Sequence, residues 1–558
     1  MISPDKRFDV VVIGSGVAGS IAVKELTERG LDVLLLEAGR DITESDFKPT
    51  PEAPPRPLDM AIFPRAHAAV KKGQYTQSRR AMFTSGASPF LVNDVRNPYS
   101  TPRGDRFLWI RGRQLGGRLH TYGRCLMRMS DYDFQGKSFD DKGANWPVRY
   151  DDLAKYYDRV EEFIGVYGNP DDVPAIPDGH YVNSGKLTTA EQNFKAKVEA
   201  TWPERRVISW RYAAPNLHRV PLGILAARDT GRLTTYTDAI VQRITVDDQT
   251  GRATGAVYID QKTRNQHTVT ADVVMLCAST IESIRLLLNS GSDKHPNGLG
   301  NSSGLLGRYF MDQTPSLTVA KMPQYRGYED DDSAPHDPSY SPAGGVFIPR
   351  FVNLAGTETS KFSRGFSFQG ACARIPVPED HPAAGGLMGF GEMLPYLDNR
   401  ITLHPRRKDA WGVPIARIRC VPGDNENRLL KEQVRTIREI FELNDYDLMF
   451  SGSSMGLDSQ KVWPDRDPFS RLVFRMGFPR SIMLGSAIHE CGGARMGADP
   501  ATSVLNEHNQ TWDVPNLFVT DGSAFASSGS VGPALTIMAL TARAAEFVAE
   551  QHAHGSLK

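Results

Sequence analysis

The first apolar run, Val10-Val11-Val12-Ile13, is short, β-branched and uninterrupted, the pattern of a strand buried on both faces. After a glycine-rich turn, Ala18, Ile21, Ala22, Val23 and Leu26 recur at helical spacing and predict a helix over residues 17–29. Val33–Leu36 repeats the buried-strand pattern and closes on Glu37. DDLAKYYDRVEEFIG, residues 151–165, reads as a helix. Between 231 and 291, TTYTDAIVQRITVDD and ATGAVYIDQ alternate like antiparallel strands, ADVVMLCAS is another buried strand, and TIESIRLLLNSG is a helix ending at Gly291. Segments near 346–420 and 470–484 alternate enough to predict sheet, and near the end NLFVTDGSAF reads as strand then turn and PALTIMALTARAAEFVAEQ as a helix. Residues 45–66 are Pro-rich and no period is clear to about 105, which predicts an irregular arm. The polar stretch YEDDDSAPHDPSYSPAGG, within 321–345, reads either as a mobile substrate loop or as a solvated surface loop.

The turn between the first strand and helix is Gly14-x-Gly16-x-x-Gly19. Gly14 permits the tight turn, Gly16 lets a pyrophosphate approach the backbone, and Gly19 lets helix and strand pack closely. The helix N-terminus offers unpaired N–H groups and a positive dipole end to phosphate. Glu37 can accept hydrogen bonds from ribose hydroxyls. This context predicts dinucleotide binding, and the acid favours FAD or NAD over NADP without choosing between the first two. The later return of buried strand and helix predicts a nucleotide domain built from separated segments.

At 558 residues the chain exceeds one simple core, so two or more lobes are expected. Lys+Arg and Asp+Glu both total 65, which gives no reason to expect nucleic acid or an anionic membrane as partner. The five cysteines are scattered, without metal-ligand spacing or a disulfide pattern. MISPDKRFDVVVIG has no apolar signal-peptide core, and no apolar run reaches the ~18 residues of a membrane span, so a cytoplasmic location is expected. Gly452-Ser453-Ser454-Met455-Gly456 fits GxSxG, but no clear helix follows it, so it reads as a glycine-rich loop rather than a nucleophile elbow.

Taken together, the ordered blocks GSGVAG with Glu37, RGRQLGGRLHTYGR, NWPVRYDDLAKYY, ADVVMLCASTIESIRLL, GLLGRYFMDQ, HECGGARMGADPATSV and NLFVTDGSAFASSGSVGPALTIMALTARAA resemble the glucose–methanol–choline (GMC) flavoprotein oxidoreductases. LGGRLHTYGR and KDAWGVP look most like the sugar-oxidising branch of pyranose oxidases and glucoside 3-dehydrogenases. The resemblance implies FAD and an α/β fold with an α+β substrate lobe: a discontinuous Rossmann-like FAD domain and an antiparallel-sheet substrate domain. We place the FAD domain at 1–50, 100–140, 215–320 and 485–558, an arm at 51–99 that hints at homo-oligomer contacts, and the substrate domain at 141–214 and 321–484.

The resemblance also implies roles. His489 matches the active-site base that takes the hydroxyl proton while flavin N5 takes the hydride, a contribution of ~10²–10⁴-fold. Gly116 and Gly117 match a glycine pair beside flavin and pyrophosphate, Val241 a backbone contact to adenine, and Asp521 and Gly522 the segment near the ribityl–phosphate chain. Ala534 and Leu535 match the start of the last helix, facing the flavin pyrimidine end. Arg111 and Ala278 lie in matching cofactor blocks. The expected reaction is oxidation of a secondary hydroxyl of a sugar or glycoside, with O2 or a quinone, cytochrome or dye as acceptor. Two departures stand out. Gly532 occupies the place of a second catalytic Asn or His, so Ser528 or Ser530 reaches in, substrate or water fills the gap, or oxidation is weakened. That third case motivates a non-redox lyase on the same scaffold as a rival reading; a flavin-binding subunit with an interaction role is a further one, and a non-sugar alcohol is the rival substrate. Thr121 occupies the place of a flavin-tethering histidine, with His120 one residue earlier, so FAD is expected to bind non-covalently, with His120 either contacting the flavin or held as a hydrogen-bonded structural histidine.

Overall fold

The computed structural model describes residues 6–47, 63–328, 337, 339–340, 344–375, 377–458 and 468–557. Strand β1 (Arg7–Ile13), helix α1 (Val17–Glu28) and β2 (Val33–Leu36) open the chain as the pattern predicts. Next in the same sheet come β3 (Leu233–Tyr236), β4 (Ala239–Asp247), β5 (Arg252–Asp260) and β6 (Gln266–Leu276), followed by helix α2 (Thr280–Asn289). Strand β7 (Gln313–Arg326) enters a second sheet with β8 (Val346–Ile348), β9 (Phe366–Cys372) and β10 (Pro382–Glu392). Helix α3 (Asp424–Leu443) and β11 (Asp447–Ser453) complete that lobe. The chain then returns to the first sheet with β12 (Leu517–Val519) and ends in helix α4 (Ala534–Ala553).

The first sheet runs β3-β2-β1-β6-β5-β4, with β12 also on β6. β3, β2, β1, β6 and β12 are parallel, with Val10 opposite Val33 on one side and Val273 on the other. Val10, Val11 and Val12 are fully buried, as an unbroken apolar strand between two neighbours must be. The expected antiparallel pairing holds for β4 and β5, and β5 pairs antiparallel with β6 as well. It fails for β3: Asp238, at a φ of +58°, breaks the run and leaves Leu233–Tyr236 parallel to β2.

The second sheet is antiparallel, in the order Gly456–Leu457, β11, β7, β10, β9, β8, Ile208–Ser209. Helix α3 packs on it through Leu429 and Gln433, against glycines of β10: a Cβ on Gly389 would lie 2.4 Å from Ser316 Oγ and 2.6 Å from Gln433 Oε1. Gly452–Gly456 is the tip of a β-hairpin, with Ser453 paired to Gly456. The mixed α/β architecture matches the expected fold class.

A second prediction needs correcting. Residues 470–484, read as sheet, lie mostly in a helix, Pro468–Ser481. Apolar residues sit on both of its faces, so its sequence imitates alternation. Of the Pro-rich arm, 48–62 lie outside the described residues, and its described part begins with a helix, Phe63–Lys71. Of the polar loop expected within 321–345, residues 329–336, 338 and 341–343 lie outside the described residues, and 321–326 belong to β7.

Candidate active site

Three glycines make the cradle. Gly14 has a φ of +99°, and a Cβ there would meet Cys277 O at 2.5 Å and Ala278 Cα at 2.9 Å, which sets Ala278 against the turn. A Cβ on Gly19 would lie 1.8 Å from Gly14 O, so α1 can approach β1 only without one. Gly16 differs: a Cβ there meets nothing within 4 Å, and the nearest atom to a Cβ on Gly117 is Gly16 Cα at 3.6 Å. The two glycines therefore border open space. The N-terminus of α1 faces it with no side-chain cap and no acid in the first turn. Helix α4 likewise starts at Ala534 and Leu535, behind Pro533, without a side-chain cap. These features fit a dinucleotide carrying phosphate.

Glu37 is buried, and burial pushes its carboxyl pKa up. Ser15 Oγ and N donate to one of its oxygens, and Gly39 N donates to the other at 2.7 Å. Ser15 Oγ also accepts from Gly116 N at 2.9 Å, which joins the two glycine turns. Val241 lies on β4 two residues beyond Ala239, whose N–H donates to Glu37 O at 2.9 Å. Asp521 accepts from Ser283 Oγ and from Ser523 N and Oγ. Gly522 sits so close to α2 that a Cβ would lie 2.7 Å from Thr280 Oγ1.

Two predicted residues are engaged by the protein. His120 Nε2 pairs with Leu115 O at 2.8 Å, and its ring is buried beside Phe47 and Phe90. Arg111 stacks on Trp109, with Cζ 3.8 Å from the ring centroid, and donates to Asn97 O.

His489 follows Ile488, a β-branched residue held at a φ of +65°. That turn lets Asp312 receive His489 N on one oxygen at 3.2 Å and Gly485 N on the other at 2.5 Å. Burial, and then Glu490, push Asp312 up to about 7. Gly492 and Gly493, at φ of +76° and +98°, turn the chain sharply away behind the histidine.

The ring itself is oriented by Gln313, the first residue of β7. Gln313 Nε2 donates to the carbonyls of Ser528, Gly529 and Val531 at 3.1, 2.8 and 2.8 Å. Three acceptors around one end fix the amide's orientation, so Oε1 faces His489 Nδ1 at 2.6 Å. An acceptor there requires a proton on Nδ1. Neutral His489 therefore carries its lone pair on Nε2. A Cβ on Gly532 would lie 3.5 Å from that Nε2, so the missing side chain leaves room at the basic nitrogen. Ser528 does not fill it, because its hydroxyl receives Met393 N at 2.9 Å and lies 3.3 Å from Met393 O. Burial, then Arg118 and Arg80, push His489 down to about 3. Arg118 donates to Glu490 at 2.7 Å, and Arg80 Nε to Ser486 O at 3.1 Å.

Gln313 lies at the end of the GLLGRYFMDQ block, where its role is not legible from the sequence. The available signal was Asp312-Gln313, two strongly polar residues at the mouth of a strand that turns apolar.

Comparison with known proteins decides the family. Models described as GMC oxidoreductase match residues 224–314 and 395–541, and a model for an NAD(P)-binding Rossmann-like domain matches 12–46. The chain belongs to the GMC oxidoreductase family. It is an FAD-dependent oxidoreductase of alcohol- or sugar-type substrates. It is similar to the 2-methyl-1,2-propanediol dehydrogenase of Mycolicibacterium austroafricanum, 28% identical over 99% of this chain and 97% of that one. It is also similar to the gluconate 2-dehydrogenase flavoprotein of Pantoea cypripedii, 25% identical over 98% of this chain and 94% of that one. The formate oxidase of Aspergillus oryzae shares the fold, with a TM-score of 0.66 at 14% identity over both whole chains. Among the described residues, no helix is long and apolar enough to cross a membrane.

Proposed function

We propose that this GMC oxidoreductase oxidises a secondary hydroxyl of a sugar or glycoside to a carbonyl, with His489 Nε2 as the base. The observation that carries the reading is the Gln313–His489 pair, which leaves an unprotonated nitrogen facing the space at Gly532. Bound FAD supplies the hydride acceptor. His489 receives the hydroxyl proton on Nε2 and keeps its Nδ1 proton on Gln313. A base of such low pKa removes that proton only as the carbon–hydrogen bond breaks, when the hydroxyl is becoming a protonated carbonyl and is strongly acidic. Arg118 and Arg80 disfavour the imidazolium and so help it release the proton afterwards. The substrate hydroxyl takes the place that a side chain at 532 would occupy.

In this reading Gly14, Gly16, Gly19, Glu37, Gly116, Gly117, Val241, Ala278, Asp521, Gly522, Ala534 and Leu535 border the cofactor. His120, already held by Leu115 O, leaves FAD non-covalent. The lobe carrying β1–β6 and β12 is the FAD domain, and the β7–β11 sheet carries the substrate side.

The test is anaerobic mixing with mono- and disaccharides, glycosides, diols and simple alcohols, read as loss of flavin absorbance. Bleaching by sugars or glycosides ahead of diols supports the reading, and bleaching by diols alone overturns the sugar assignment. Readmitting air separates O2 from a quinone, cytochrome or dye as acceptor.

A further inference from the structure

The charge of the chain balances as a whole, but it is unevenly distributed. No Asp or Glu occurs in residues 63–93 or in residues 468–489. The two stretches touch: Ala81 N donates to Ser481 O at 2.9 Å, and Arg80 Nε to Ser486 O at 3.1 Å. Lys71, Lys72, Arg79, Arg471, Arg475 and Arg480 are all exposed on them.

The helix Pro468–Ser481 is apolar on two sides. One side is accounted for, since Phe474 and Phe478 pack on Phe450 at ring separations of 5.2 and 5.4 Å. The other carries Phe469, Leu472, Val473 and Met476, spaced i, i+3, i+4, i+7, and these are 73, 54, 43 and 56% exposed. Met455, at the adjoining hairpin tip, and Met82 are half exposed as well. An apolar stripe bordered by arginines, with no acid on the helix, is the make-up of a helix that lies in a membrane interface.

We propose that this helix docks the protein peripherally on an anionic lipid surface, with Phe469, Leu472, Val473 and Met476 entering the headgroup–acyl boundary and the flanking Lys and Arg side chains meeting lipid phosphates. Charge selects this occupant. A second copy related by a two-fold axis would set arginine against arginine. Lysine, present at 71 and 72 on the neighbouring acid-free stretch, is depleted in protein–protein interfaces and favoured by anionic headgroups.

The test is flotation of the FAD-loaded protein with vesicles of phosphatidylcholine alone and of phosphatidylcholine mixed with phosphatidylglycerol. Binding to the mixed vesicles, stronger than to the neutral ones and weakened by salt, is expected. The double substitution Phe469→Glu, Leu472→Glu and the single Arg475→Glu each lower it by about tenfold or more, because each basic residue near such a surface and each buried apolar side chain contributes on that scale. Turnover with a soluble acceptor stays unchanged in both variants, which shows that they fold. Failure to float with the mixed vesicles overturns the proposal. So does a wild-type dimer in solution that Phe469→Glu, Leu472→Glu converts to monomer, since the stripe then belongs to a second copy.

Discussion

Replacing Gln313 with Leu keeps the side chain's bulk and removes both of its polar ends. The His489 Nδ1 proton loses its 2.6 Å acceptor, and the two carbonyls held at 2.8 Å lose their donor. One neutral hydrogen bond is worth about 0.5–1.5 kcal/mol, so its loss alone shifts the ratio of the two imidazole tautomers roughly 2- to 13-fold away from the one with a basic Nε2. Loss of ring orientation adds to this, and the ceiling is the ~10²–10⁴-fold that the base itself supplies. We expect Gln313→Leu to lower the rate of anaerobic flavin bleaching by roughly 10- to 100-fold, with FAD still bound. A double-mutant cycle makes the result specific: in the His489→Ala background the Gln313 substitution costs little more, because the two act as one unit. Wild-type rates in Gln313→Leu, or additive losses in the double variant, would refute the tautomer argument.

His489→Ala lowers kcat/KM by ~10²–10⁴-fold while FAD absorbance is retained, as stopped-flow kinetics would show. With its pKa lowered from 6.5 to about 3, His489 is already neutral at mildly acid pH, so kcat/KM stays flat from neutrality down to about pH 5; a limb centred near 6.5 contradicts this. The same group links stability to pH: the unfolded chain binds its proton between about 3 and 6.5 and the native chain does not, so its contribution is present above 6.5 and lost as pH falls toward 3. Arg118→Met moves the acid limb of kcat/KM upward, by removing a cation that disfavours the imidazolium. Gly16→Ala leaves the thermal stability of the flavin-free protein near wild type but weakens FAD binding, whereas Gly19→Ala damages both, since its Cβ would lie 1.8 Å from Gly14 O; calorimetry and flavin titration separate the two.

How much of this was legible in the sequence depends on distance along the chain. β1, α1 and β2 occupy one continuous stretch, and their glycines and apolar runs state the geometry directly. Helix Tyr150–Ile164 and α2 follow from 3.6-residue periodicity for the same reason. The helix at 468–481 was misread because apolar residues on both faces, one docked and one bare, look like a strand's alternation. Gln313 was opaque for another reason. Its partners lie 176 residues away at His489 and 215 to 218 away in the 528–531 loop, and no local pattern announces such a meeting. The place of Gly532 could be inferred from the resemblance, but that its gap opens onto Nε2 needed coordinates.

The first sheet is woven from segments far apart in the chain: β1 begins at Arg7, yet β12, at Leu517–Val519, joins β6 only after every strand of the second sheet has been made. On the ribosome, then, the antiparallel sheet is complete before the first sheet has all of its strands. Long sequence separations of this kind fold late and slowly. A nascent chain that stalls before β12 would carry a finished antiparallel sheet and a first sheet still missing a strand.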